Sequence, residues 1–202
     1  MWSSEAIGTA YERLRSEVGP AVTVVVATKY VGVEEMALLA EAGVEVVGEN
    51  RAQDLVAKHG RYVAAFRWHF IGHLQSRKAP LVSSICELVH SLDSLSAARR
   101  LGVPALIEIN LAGEESKSGV APAELSGFLA GVRELGVEVR GLMTMPPLTG
   151  DPERSRPYFR ELALLAAEHG LPELSMGTTQ DYRVAVEEGA TLVRVGSGLF
   201  GR

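Results

Sequence analysis

The chain has 202 residues, of which 47% are hydrophobic, with a formal charge of −5 and a pI near 5.6. That is enough apolar sequence for a buried core, and with no basic cluster interleaved with aromatics the chain lacks the electrostatic footprint of a nucleic-acid groove. No basic-then-apolar leader, no bilayer-length apolar run and a single cysteine, Cys86, argue against a membrane partner, an internal disulfide and a cysteine zinc cluster; a cytoplasmic protein is expected.

Ser3 and Ser4 precede Ile7, Tyr11, Leu14 and Val18 at helical spacing, which predicts a capped amphipathic opening helix. Strand-like apolar runs follow at Ala21–Thr28, Val44–Gly48, Trp68–Ile71, Leu88–Ser91, Pro104–Ile109, Val137–Leu142, Leu174–Ser175 and Thr191–Val195. Helical patterns separate them, several ending where a glycine can cap: Gly43, Gly102, Gly136, Gly170 and Gly189. Eight strand–helix units predict an α/β chain forming one domain over residues 1–202. The expected architecture is a single (β/α)8 TIM-type barrel with an additional N-terminal helix, and a doubly wound sheet is the runner-up. Met145–Arg156 is the longest loop-like piece, and nothing resembles a linker.

Barrels carry their chemistry on the loops after the strands and commonly bind phosphate after strands seven and eight. Lys29, one of four lysines, ends the most β-branched run, whereas Lys58, Lys78 and Lys117 fall in a helix, a helix start and a polar loop, where solvated ammonium groups are ordinary. A lysine that merely ends a strand in water is the competing reading of Lys29. Strand seven leads into Ser175-Met176-Gly177-Thr178-Thr179 and strand eight into Arg194-Val195-Gly196-Ser197-Gly198. Glycines and hydroxyls there suit a phosphate cradle, or simply tight turns. Barrel closure sets strand eight beside strand one, so a lysine and a phosphate cradle meet, which suggests an aldehyde that carries a phosphate. Schiff-base chemistry needs a neutral amine, and from an ordinary lysine pKa of about 10.4 this calls for burial and a neighbouring charge such as Arg194.

The two asparagines, Asn50 and Asn110, end strands two and five, and His69, His73, Ser91 and Thr144 fall near the same rim. His69 reads first as a satisfied core group. Gly196-Ser197-Gly198-Leu199-Phe200-Gly201 fits a dinucleotide glycine motif but lacks the helix, second strand and acidic residue that should follow. His69 and His73 have a metal-pair spacing, yet they lie in a strand-like stretch without the glutamate of a zinc protease motif.

Val47-Gly48-Glu49-Asn50-Arg51, Trp68 to Ser76, Ser116-Lys117-Ser118-Gly119, Gly141-Leu142-Met143 and Ser175-Met176-Gly177 together resemble the pyridoxal phosphate homeostasis proteins, whose barrel is similar to the N-terminal domain of alanine racemase. The resemblance implies pyridoxal 5′-phosphate (PLP) on Lys29, with Asn50, Met143, Ser175, Met176, Gly177, Arg194, Gly196 and Ser197 also binding the cofactor. Arg194 is left open between the phosphate and the ring. A second lysine that the family often carries soon after the first is absent, since the run here is Thr28-Lys29-Tyr30-Val31-Gly32. The β-rich second domain that completes racemases is not expected. The implied role is therefore a carrier rather than an enzyme: a monomer that buffers PLP or delivers it to PLP-dependent apoenzymes. A Schiff-base aldolase or minor PLP enzyme using the same lysine is the alternative, and an interaction module is a third reading.

Overall fold

The computed structural model describes residues 2–114 and 118–200. The eight strands are β1 (Thr23–Ala27), β2 (Val46–Glu49), β3 (Arg67–Phe70), β4 (Leu88–Leu92), β5 (Ala105–Glu108), β6 (Val139–Met143), β7 (Glu173–Thr178) and β8 (Leu192–Val195). They pair in parallel, in sequence order, and β8 closes on β1 to complete the barrel. The helices are α1 (Ser4–Val18), α2 (Met36–Glu41), α3 (Ala52–His59), α4 (Ala79–Ser83), α5 (Leu95–Ala98), α6 (Leu125–Glu134), α7 (Arg156–Glu168) and α8 (Tyr182–Glu187).

Each expected strand is present within a few residues. The opening helix also forms: Ser3 Oγ accepts from the Ala6 N–H at 3.2 Å, and Ile7, Tyr11, Leu14 and Val18 are its buried stripe. Gly43, Gly136, Gly170 and Gly189 take positive φ just after their helices, the left-handed exit that a side chain would resist. Gly102 does not. Its helix, α5, stops at Ala98, and the Gly102 N–H donates instead to Ser83 Oγ at 3.0 Å.

Strand periodicity sorts the apolar residues into two layers. Val25, Val46, Leu88, Leu106, Met143 and Leu192 fill the barrel interior. Val24, Val26, Val47, Ile107 and Val193 face outward and pack with Leu39, Leu55, Val82, Leu129, Leu162 and Val184 from the helices. Burying each such side chain stabilises the fold by about 1.5–3 kcal/mol. Continuing the alternation from inward Val25 places Ala27 and then Lys29 toward the upper mouth, while Thr28 turns outward and is fully buried.

β7 differs from its sequence reading. The Met176-Gly177 segment, expected to open a loop after Ser175, lies inside the strand, and the turn follows Thr178. A register shift against β8 separates the pairs Ser175↔Leu192 and Thr178↔Arg194, and Gly177 absorbs it at φ +88°, where a Cβ would come within 2.5 Å of the Ala185 Cβ. Among the described residues, no helix is long and apolar enough to cross a membrane.

Close sheet packing also constrains β6. A Cβ on Gly141 would lie 1.8 Å from the Glu173 carbonyl oxygen, whereas one on Gly150 meets nothing within 4 Å. Gly141→Ala is therefore expected to lower stability by about 1–3 kcal/mol, and Gly150→Ala to be near neutral, in denaturant unfolding.

Candidate functional site

A cavity of about 300 Å³ opens at the carboxyl ends of the strands. Lys29, Asn50, Arg194, Gly196 and Ser197 line it, joined by Ala27, Tyr30, Ile71, Thr178 and Thr179, with Trp2, Met145, Leu148 and Phe200 forming an apolar margin. Barrel closure brings these groups together, through the β1–β8 pairs Val25↔Arg194 and Val26↔Val195.

Lys29 stands just beyond β1, exposed, with its ammonium over the Tyr30 ring at 4.9 Å from the centroid. The desolvation expected around its amine is thus not supplied by the protein, because the residue has left the sheet for the open mouth. Its backbone is braced from behind. Lys58 Nζ donates to the Thr28 carbonyl at 2.7 Å and pairs with Glu49, and the Thr28 hydroxyl donates to the same Glu49 Oε1. Lys58, expected in solvent, is 4% exposed: α3 lays it against the outer face of β1 and β2.

Arg194 is only 5% exposed. It donates to the Ser175 carbonyl at 2.8 Å, to the Thr144 carbonyl at 2.9 Å, to Ser175 Oγ and to Met145 Sδ. Burial pulls its pKa down to about 10, with Glu108 and Asp181 opposing that shift, so it remains a cation at neutral pH. Glu108 is inward-facing at the end of β5; burial pushes its carboxyl pKa up, against a hydrogen bond from the Ser118 hydroxyl.

At the end of β8, the Gly196 N–H donates to Thr179 Oγ1 at 3.2 Å, and a 3-10 turn, Ser197–Leu199, follows. The first N–H groups of such a turn have no partner within it, and a Cβ on Gly196 would crowd the Ala27 carbonyl oxygen at 3.1 Å. Asn50 contributes a buried amide oxygen that has no hydrogen-bond partner among the described residues. An amine, a buried cation, a glycine-lined turn with hydroxyls and an unsatisfied amide at one mouth fit a small phosphorylated aldehyde.

Four sequence-predicted residues do not line the cavity. Met143 belongs to the interior apolar layer. Ser175 is fully buried, and its hydroxyl is engaged by Arg194 and by His90 Nδ1 at 2.8 Å, so it reaches the mouth only through Arg194. Met176 alternates to the outer face and packs under the helices, and Gly177 sits in the bulge against α8. Lys117, Ser116 and Gly201 lie outside the described residues. Sequence reasoning missed Tyr30, Ile71, Trp2 and Phe200. The last two come from opposite ends of the chain to pack with ring centroids 4.6 Å apart, which no local signal announces.

His69 is a satisfied core group. Its Nδ1 lies 2.9 Å from His90 Nε2, and its Nε2 lies 3.0 Å from Glu87 Oε1. His73 is exposed and faces Asp93 at 3.5 Å, so among the described residues the two histidines share no partner.

The alanine racemase N-terminal domain model matches residues 3–202. The pyridoxal phosphate homeostasis protein of Aquifex aeolicus is 41% identical over 192 residues, spanning 87% of this chain and 84% of that one. The chain belongs to the pyridoxal phosphate homeostasis family. A family structure, PipY of Synechococcus elongatus without PLP, matches at a TM-score of 0.90 and 32% identity, covering 96% of this chain and all of that one. PipY with PLP bound matches at a TM-score of 0.89.

Two ion systems, one buried against β1 and β2 and one at the lower rim, are open to direct test. Lys58→Met leaves Glu49 buried and unpaired and should cost about 3–5 kcal/mol, while adding Glu49→Leu should recover most of the loss in a double-mutant cycle of unfolding free energies. At the lower rim, the hydrogen bond from His69 lowers the Glu87 pKa from 4.5 to about 2, with burial opposing and Arg67 assisting. A depressed carboxylate contributes stability that is complete above pH 4.5 and lost as pH falls toward 2. Glu87→Gln should flatten that part of the acid-unfolding curve.

Proposed function

We propose that this chain holds PLP as a Schiff base on Lys29 and buffers it or delivers it to PLP-dependent apoenzymes. When bound, the cofactor supplies an electrophilic aldehyde that condenses with a primary amine. The observation that carries the reading is the shared cavity of Lys29, Arg194 and the Gly196-Ser197 turn. The names and PLP-bound structure of the relatives support it.

In this reading the Gly196-Ser197 turn, with the Thr179 and Ser197 hydroxyls, receives the phosphate, and Asn50 turns its amide toward the cofactor. Arg194, held in place by two carbonyls, presents fixed positive charge. Lys29, exposed beside Tyr30, is accessible to incoming and departing aldehyde. Exposure favours exchange over chemistry that needs a closed, dry site. Residues 1–202 then act as one cofactor-binding barrel, working as a monomer in the cytoplasm. The alternative, a Schiff-base aldolase or minor PLP enzyme, uses the same amine and phosphate turn.

Purified protein mixed with PLP should develop a visible absorption band, Lys29→Ala should lose it, and the loaded protein should reactivate a PLP-dependent apoenzyme. Alanine racemisation at about 1 per second or faster would contradict the carrier reading and favour the enzyme. So would a carbonyl substrate trapped on Lys29 by borohydride in cofactor-free protein.

A further inference from the structure

Bulky apolar side chains ordinarily fill a barrel interior in layers. Here four buried polar side chains run through those layers: His69 from β3, His90 from β4, Ser175 from β7 and Arg194 from β8, exposed by 2%, 0%, 0% and 5%. The links are continuous. Arg194 donates to Ser175 Oγ, Ser175 Oγ lies 2.8 Å from His90 Nδ1, His90 Nε2 lies 2.9 Å from His69 Nδ1, and His69 Nε2 lies 3.0 Å from Glu87 Oε1. Glu87, at the lower rim, also pairs with Arg67 at 2.7 Å.

With both rings neutral, the acceptor at the Glu87 end sets the proton on every link. Arg194 has donors only, so Ser175 Oγ accepts from it; with both rings neutral and His69 donating to Glu87, Ser175 spends its own proton on His90 Nδ1. His90 must then carry its proton on Nε2 and donate it to His69 Nδ1. His69 in turn carries its proton on Nε2 and donates to the Glu87 carboxylate, which only accepts. All donors point the same way, from the cofactor cavity toward the far rim. Burial, with the Arg194 guanidinium adding to it, holds the His90 pKa well below 6.5, in keeping with a neutral ring.

Such a column is costly. Each member loses its hydration, and apolar side chains of similar volume would fill the space with equal or greater stability. What the column provides is a seat for a buried cation. Arg194 makes no direct ion pair among the described residues; its contacts are carbonyls, a hydroxyl and a sulfur. An aligned chain of dipoles ending on a carboxylate fixes the hydroxyl on which one arm of the guanidinium rests.

The geometry points to Glu87, His69 and His90 as positioning residues that act through Ser175 to set where Arg194 presents its guanidinium to the cavity. None of the three lines that cavity. Their effect on PLP rests on the proposed function, whereas the proton arrangement of the column does not.

The test begins with nitrogen NMR of the histidine rings in cofactor-free protein. Both rings should be neutral Nε2–H tautomers, with a coupling across the His90–His69 hydrogen bond. Glu87→Ala removes the terminal acceptor from a rim side chain that is 42% exposed, so folding should survive. It should abolish the fixed tautomers, weaken PLP binding by about three- to tenfold and shift the bound absorption band. Glu87→Gln, whose amide oxygen still accepts, should stay within about twofold of wild type in PLP affinity and keep both tautomers. Glu138→Ala breaks a different rim pair, Arg140–Glu138, and should change neither readout. The proposal is overturned if Glu87→Ala leaves the ring tautomers unchanged, or leaves PLP affinity and band unchanged, or if Glu138→Ala has the same effects. If wild-type protein takes up no PLP, the function reading fails and the tautomers alone decide the column: lost in Glu87→Ala they uphold it, retained they overturn it.

Discussion

Closure of the sheet through the β1–β8 pairing is the constraint on which the site depends. Val25 opposite Arg194 and Val26 opposite Val195 set the ends of the two strands side by side, so the chain leaves β1 at Lys29 where it leaves β8 at Gly196. Strand periodicity gives this register its force, because a slip of one residue exchanges inner and outer faces. Thr28 would then meet the mouth, Lys29 would turn toward Lys58 and Glu49, and Arg194 would be driven among the helices. The apolar layers on both faces of the sheet hold the register against that slip.

Two buried polar systems brace the same mouth from opposite sides of the sheet. Outside the barrel, Lys58 and Glu49 grip the residue before Lys29. Inside, the column from Glu87 to Ser175 supports Arg194. The outcome is asymmetric: a fixed, buried guanidinium and an exposed amine on a short tether share one cavity. That asymmetry suits the proposed role of holding a reactive aldehyde and letting it go.

Much of the fold could be read from the sequence because parallel strands buried on both faces announce themselves as short β-branched runs. Lys29, Arg194, Gly196 and Ser197 were legible for a related reason: strand ends of a closed barrel converge on one rim. Residues within strands were harder. Ending strand seven at Ser175 and leaving Met176 and Gly177 to the loop missed that β7 continues to Thr178, and the two-residue alternation then sends Met176 outward. Lys58 was read as solvated because its partners are created by packing α3 on the sheet rather than by neighbouring sequence. Gly102 looked like a helix stop, but a helix as short as α5 ends before reaching it. Trp2 and Phe200 meet only because α1 packs beside the last turn, a contact spanning nearly the whole chain.

The central claim is that position on the barrel, rather than the mere presence of an amine, selects one lysine of the four. Borohydride reduction of the PLP-loaded protein followed by peptide mass mapping tests this most directly. A single phosphopyridoxyl adduct on Lys29 is expected. An adduct chiefly on Lys58, Lys78 or Lys117, or none at all, would contradict it.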